Sequence, residues 1–131
     1  MKTASFIAGF GLIALAACRN PFASDPVVML DVTELTAPST IAATSALDIV
    51  LTVIVNGCQR FDRIQVVGYA SGATLTVWGP DASVDNKDVV CPTVIKSEPH
   101  GYRFNPPFSG TFDITVDRGR LSPLRATVQI Q

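Results

Sequence analysis

The feature that most constrains the fold is an alternating apolar segment from Leu47 to Val55. Every second residue in this segment is Leu, Ile or Val. Because successive side chains of a β-strand point to opposite faces of the sheet, this spacing predicts a strand with one fully apolar face. Val50 and Ile54 make the opposite face partly apolar too. The segment is therefore predicted to be a central strand, covered fully on one side and partly on the other.

Shorter segments of β-forming residues, separated by turn-forming residues, fill most of the remaining chain. The predicted strands are 27–32, 47–55, 61–69, 73–79, 89–95, 102–104, 111–116 and 124–131. Residues 33–45 are predicted to be a connection or an irregular edge strand, because Pro38 disfavours a central one. Turns are expected at 70–72 and 97–101. This pattern predicts an all-β fold, an antiparallel sandwich of seven to eight strands.

Asn56 and Gly57 form the dipeptide most typical of a two-residue hairpin turn. In the register of such a turn, the charged Arg60 would lie opposite the core residue Val53. Because that pairing conflicts with burial, the return strand is predicted to pair through a bulge or a longer loop.

The first residues have the pattern of an export signal, with a basic start at Lys2 and an apolar stretch over 4–17. A spanning helix is disfavoured because it needs about 20 apolar residues. The segment Leu15-Ala16-Ala17-Cys18 resembles the lipobox of bacterial lipoproteins. The alternative is an ordinary secretory peptide cut after Ala17.

The lipobox resemblance implies a signal peptide over 1–17, a short tether over 18–26 and a folded domain over 27–131. It also implies that lipidated Cys18 attaches the protein to a membrane of the bacterial cell envelope. Arg19 follows that cysteine, which by the sorting pattern of such lipoproteins implies the outer membrane in a Gram-negative cell. The tether holds the domain close to the bilayer, because seven extended residues reach only about 25 Å.

The three cysteines fit this interpretation. With Cys18 assigned to lipid, Cys58 and Cys91 remain and are predicted to form a disulfide in an oxidising compartment. A zinc site is disfavoured, because only His100 is available to join two cysteines where zinc takes four ligands.

A second resemblance lies near the C-terminus, in Asn-Pro-Pro-Phe-Ser-Gly-Thr-Phe-Asp-Ile-Thr-Val at 105–116. It is similar to the passage that leads into the penultimate core strand of many bacterial Ig-like and prealbumin-like extracellular modules. The resemblance implies an Ig-like sandwich and no particular activity.

Charge and residue inventory exclude several classes of function. Without Lys2 the mature chain has 9 basic and 11 acidic residues, a net charge of −2. A chain with no basic stripe is not expected to bind nucleic acid or to be drawn electrostatically to anionic lipid. Phosphate-binding glycine loops are absent from the sequence, and no cofactor is predicted.

Three groups of residues are candidate sites. Glu98 and His100 lie in an expected surface turn and are the available acid and base for hydrolysis, but no Gly-x-Ser-x-Gly elbow accompanies them. The loop from Asp81 to Asp88 offers alternating oxygen ligands, which makes it a weak calcium candidate. Its ligands would be Asp81, Ser83 and Asp85. Trp78, with Tyr69 and Tyr102, is either an exposed platform for sugar or core-edge packing.

The sequence therefore predicts a non-enzymatic, membrane-anchored module that binds or assembles with an envelope protein partner. One alternative is a small envelope hydrolase, or its accessory subunit, that uses the Glu98/His100 turn or the Asp81–Asp88 loop. Another is a structural lipoprotein that stabilises a larger envelope complex.

Overall fold

The computed structural model describes residues 25–131, so the predicted signal peptide and Cys18 lie outside the described residues. The described chain is all-β, as predicted, and its strands form two sheets. In chain order the strands are β1 (Val27–Met29), β2 (Asp31–Thr36), β3 (Thr40–Ile41), β4 (Leu47–Asn56), β5 (Arg63–Tyr69), β6 (Gly72–Pro80), β7 (Ile95–Phe104), β8 (Thr111–Val116) and β9 (Leu124–Ile130).

Nine strands are present in residues 25–131, where seven or eight are predicted. The predicted strand 27–32 is divided, because β1 pairs in one sheet and β2 pairs in the other. The two-residue strand β3 is too short to produce a recognisable period in the sequence. β2 is an edge strand with a bulge, which agrees with the irregular edge expected within residues 33–45.

The smaller sheet has the strand order β2-β4-β7. In the larger sheet β1 and β8 lie along one edge of β6, β5 pairs along its other edge, and β9 and β3 follow β8. Pairing is antiparallel except between β6 and β8 and between β3 and β9, which are parallel. The two sheets face each other as a β-sandwich.

The core lies between the sheets and is built from one face of each long strand. The alternation predicted for β4 is confirmed, since its first, third, fifth, seventh and ninth residues are buried. β6 contributes Leu75 and Val77, and β8 contributes Ile114 and Val116. β5 and β6 form the predicted hairpin, joined by a turn at Ala70.

The predicted pairing of β4 with the strand after Asn56 is wrong. A type I′ hairpin needs positive φ at both central residues, and among residues 25–131 only Gly110 and Gly119 have positive φ. The Asn56 side chain instead accepts a hydrogen bond from the Cys58 backbone N–H at 2.9 Å. This turn redirects the chain to the larger sheet, where β5 pairs with β6.

The predictions for residues 89–104 are also wrong in part. The predicted strand at 89–95 is mostly loop, and the turn predicted at 97–101 lies inside β7, which pairs with β4 over ten residues. Pro99 is tolerated there because β7 is an edge strand with one side free of backbone pairing. Glu98 and His100 are therefore strand residues and do not form a surface turn.

Candidate binding cleft between two sheet edges

One side of the sandwich is open between the free edge of β5 and the free edge of β7. Neither strand has a second pairing partner in residues 25–131. Two grooves, one polar and one aromatic, lie along this side and are lined by residues on or next to both strands. We call this surface the open side.

The side chains of β7 that point into the sandwich change from aromatic to polar along the strand. Directly paired residues point to the same face of a sheet, so the partners of the buried β4 residues also point inward. These partners are Phe104, Tyr102, His100, Glu98 and Lys96. The row is thus aromatic at one end and polar at the other, which produces two different grooves.

The polar groove has a volume of about 600 Å³ and contains the predicted pair Glu98 and His100. His100 Nε2 lies 3.1 Å from Glu98 Oε2. The His100 ring also stacks on Phe61, with ring centroids 3.6 Å apart and planes inclined by 13°. Arg60 and Lys96 line the same groove and add positive charge.

The residues that line the polar groove do not form a Ser-His-acid arrangement. Nucleophilic catalysis on a Ser-His-acid plan needs a hydroxyl or thiol beside the base. None of the residues lining this groove is Ser, Thr or Cys. The stacking on Phe61 and the contact with Glu98 orient the imidazole within the groove.

The aromatic groove occupies the other end of the open side and has a volume of about 490 Å³. Phe112 is contacted by Phe104 and Phe108, with ring centroids 5.1 Å and 5.3 Å apart. Tyr102 packs edge-on against Phe104, and Tyr69 is exposed at the margin of the groove. Aromatic walls of this kind offer a large apolar contact area at small entropic cost.

The disulfide predicted between Cys58 and Cys91 is present and has a Cα–Cα distance of 5.1 Å. It ties the loop after β6 to the end of β4. The neighbouring residues Gly57 and Pro92 line the polar groove. The disulfide therefore fixes one wall of that groove as well as the loop.

Asp81, the first residue of the calcium candidate, is engaged in the loop itself. It accepts hydrogen bonds from the Ser83 backbone N–H at 2.9 Å and from Gln59 Nε2 at 3.0 Å. The Ser83 hydroxyl also donates to Asp81. This hydroxyl is the main reason that the pKa of Asp81 is lowered, and the other two donors act in the same direction.

The structure does not bring Asp85 into this arrangement, because its side chain is exposed. In residues 25–131 no three His, Cys, Asp or Glu side chains are grouped where they could hold a metal ion. The contacts of Asp81 assign it a structural role, since they fasten the loop to Gln59 beside the disulfide.

The aromatic residues of the predicted sugar platform are separated. Trp78 is half-buried and donates a hydrogen bond from Nε1 to Gln65 at 2.8 Å. Tyr102 faces the aromatic groove, while Tyr69 is exposed at its margin. Trp78 lines neither groove of the open side.

The aromatic groove was not predicted from the sequence. Its signal in the sequence is the spacing of Tyr102 and Phe104, which puts both rings on one face of a strand. Phe108 and Phe112 follow after a turn and complete the wall. Which strand lies opposite them depends on the pairing of the sheets, and this pairing has no local signature.

The chain matches no protein-family model, no curated protein and no solved structure. Within residues 25–131 there is no helix with the length and apolar character needed to cross a bilayer.

Proposed function

We propose that this protein is a lipid-anchored lipoprotein of the bacterial cell envelope that binds another envelope protein through its open side. It acts by contact and not by catalysis. In a Gram-negative cell, Arg19 after the acylated cysteine directs it to the outer membrane.

The observation that carries the proposal is the open side itself. Free sheet edges present unpaired backbone N–H and C=O groups that an extended segment of another protein can pair with. Between the edges of β5 and β7 lies an aromatic wall that includes Tyr102 and Phe104, with Tyr69 at its margin. Backbone pairing supplies affinity in such sites, and pockets for alternate side chains supply specificity.

The aromatic half of the open side is the better contact surface for a protein partner. Aromatic anchors in a pocket dominate the energy of many protein interfaces. At the polar half, the inward-pointing Glu98 and Lys96 together with Pro99 protect the β7 edge from indiscriminate strand pairing. The partner segment is therefore assigned to the end of the cleft near Tyr69 and Phe108.

The hydrolase alternative has one supporting feature, the contact between His100 and Glu98. No Ser, Thr or Cys side chain is among the residues that line the same groove, so the serine-type arrangement is not present there. Binding gives the aromatic groove a role, whereas hydrolysis at His100 would leave that groove without one.

In-cell photocrosslinking tests this proposal. A photoreactive amino acid in place of Tyr69 or Asn105 is expected to give the same protein adduct, because both residues line the aromatic groove. Adducts are separated by electrophoresis and the partner is identified by mass spectrometry. The matched control is Thr40, which is exposed on β3, away from both grooves.

A specific partner gives an adduct from the two groove positions and none from Thr40. Equal labelling from all three positions, or no protein adduct from either groove position, would contradict the assignment of the open side as the binding surface.

A further inference from the structure

The chain enters the folded domain at a defined end of the sandwich. Val27 pairs with Pro80 at the end of β6, and the Pro26 carbonyl accepts a hydrogen bond from the Asp81 N–H at 2.9 Å. The end of β4 and the start of β7 lie at the same end, where Asn56 pairs with Ile95. We call this the entry end.

The entry end also carries most of the exposed large apolar side chains. Of the nine such side chains in residues 25–131, five lie there. They are Val27, Val84, Val90, Val94 and Ile95. Single exposed apolar residues are ordinary on a protein surface, but their concentration at one end marks a contact surface.

The loop 82–94 carries three of these exposed valines, of which Val94 also lines the polar groove. It is fastened at its base by the hydrogen bond from the Ala82 N–H to the Cys58 carbonyl and near its end by the disulfide to Cys91. Val90 is 89% exposed and Ile95 is 72% exposed. The anchored loop therefore presents apolar side chains to whatever lies beyond the entry end.

The length of the tether identifies what lies there. If Cys18 is acylated, the seven residues from Arg19 to Asp25 span at most about 25 Å. Because residue 25 leads directly into the entry end, that end is the part of the domain nearest the bilayer. The distal end then carries the aromatic groove, which faces away from the membrane.

We propose that the loop 82–94 and the adjoining Ile95 contact the surface of the anchoring bilayer and place their exposed apolar side chains among the lipid headgroups. This inference rests on the lipid anchor at Cys18 proposed above. It gives the domain a fixed orientation, with the aromatic groove turned towards partners.

The contact is apolar in origin. Residues 81–96 contain three acidic side chains, Asp81, Asp85 and Asp88, and two basic ones, Lys87 and Lys96. Such a segment has no net attraction for anionic lipid, so the contact is expected with electrically neutral phosphatidylcholine and is insensitive to salt.

Tryptophan quenching by brominated phosphatidylcholine tests the contact in the lipidated full-length protein. Trp78 is the only tryptophan of the chain, so a Trp78→Phe background is free of other signals. In that background the Val90→Trp variant is compared with Val67→Trp, whose position is exposed on the outer face of β5, towards the other end. Both are reconstituted into vesicles of brominated or unbrominated lipid.

The proposal predicts that bromination lowers the fluorescence of Val90→Trp at least about twofold, because interfacial residues lie ~5–10 Å into the lipid boundary. Val67→Trp should lose little. Equal fluorescence of Val90→Trp in both lipids, with the protein floating on the vesicles, overturns the membrane contact while leaving the anchor intact. Protein that does not float shows instead that the anchor itself fails.

A change of Val90→Trp emission that depends on protein concentration and not on bromination would assign the entry end to a second copy of the chain. That outcome also overturns the membrane contact. Because Val90 is exposed, the substitution is not expected to disturb folding.

Discussion

Replacing Gly79 by alanine is expected to destabilise the fold by about 3 kcal/mol, at the upper end of the usual cost of overpacking. Gly79 is buried in β6, and a Cβ atom there would overlap the backbone carbonyl oxygen of Arg60 and crowd Leu30. The segment at Arg60 and Asp62 is bonded to β6 through hydrogen bonds to the Pro80 and Trp78 carbonyls. The added methyl group must therefore push that segment away.

Gly68→Ala is the matched control, because a Cβ atom at Gly68 in the neighbouring strand β5 meets nothing within 4 Å. It should change the free energy of unfolding by no more than about 0.5 kcal/mol, as substitutions at unobstructed surface positions usually do. Urea unfolding followed by circular dichroism measures both. Equal stability of the two variants would show that β6 and the Arg60 segment are not in close contact.

Removing the disulfide is expected to cost about 3.5–4 kcal/mol in unfolding free energy, since it closes a long loop in the unfolded chain. The bond joins residues 33 apart in sequence. The variant is the double substitution Cys58→Ala and Cys91→Ala, which leaves no unpaired thiol at this site. Its stability is measured by urea unfolding beside that of the wild type.

The reduced wild type provides the internal control. A reducing agent should lower its stability to that of the double variant, while the variant itself should not respond to the agent. Equal stability of oxidised wild type and double variant would contradict a stabilising role for the Cys58–Cys91 bond.

Strands that bury a single face were predictable from the sequence. In β4 and β8 every inward residue is apolar, so the two-residue period is visible without any knowledge of neighbours. The hairpin of β5 and β6 was predictable for a related reason. Its turn at Ala70 and Ser71 lies between two such segments.

The strand β7 was not predictable, because its inward row ends in Glu98 and Lys96. Polar side chains at these inward positions do not match the apolar alternation expected of a strand that packs on the core. Pro99 and Gly101 in addition suggest a turn. Pairing with the long strand β4 overrides these local preferences. An edge position makes this possible, because only one side of the backbone has to pair.

The hairpin predicted at Asn56 was wrong for a different reason. The Asn-Gly dipeptide favours a hairpin only if both residues adopt positive φ, and the Asn56 side chain instead bonds to the backbone two residues ahead. Asparagine supports both arrangements, because it tolerates positive φ and its side chain can bond to the backbone two residues ahead. The choice depends on where β5 finds its partner, which is a property of the whole sandwich.

Individual residues of the candidate site were predictable from the sequence, but the contacts between them were not. Glu98 and His100 were identified by residue type, and alternation along a strand does bring them to one face. Phe61 stacks on His100, and β5 lies across the cleft from β7, although these segments are far apart in the sequence. No local pattern encodes them.

The proposed envelope location and the proposed membrane contact both depend on the lipid anchor, so the decisive measurement is the acylation of Cys18. Cells are grown with labelled palmitate, and the immunoprecipitated protein is compared with the Cys18→Ala variant. Label is expected in the wild type and not in the variant. Label in both, or in neither, would contradict the lipid anchor at Cys18.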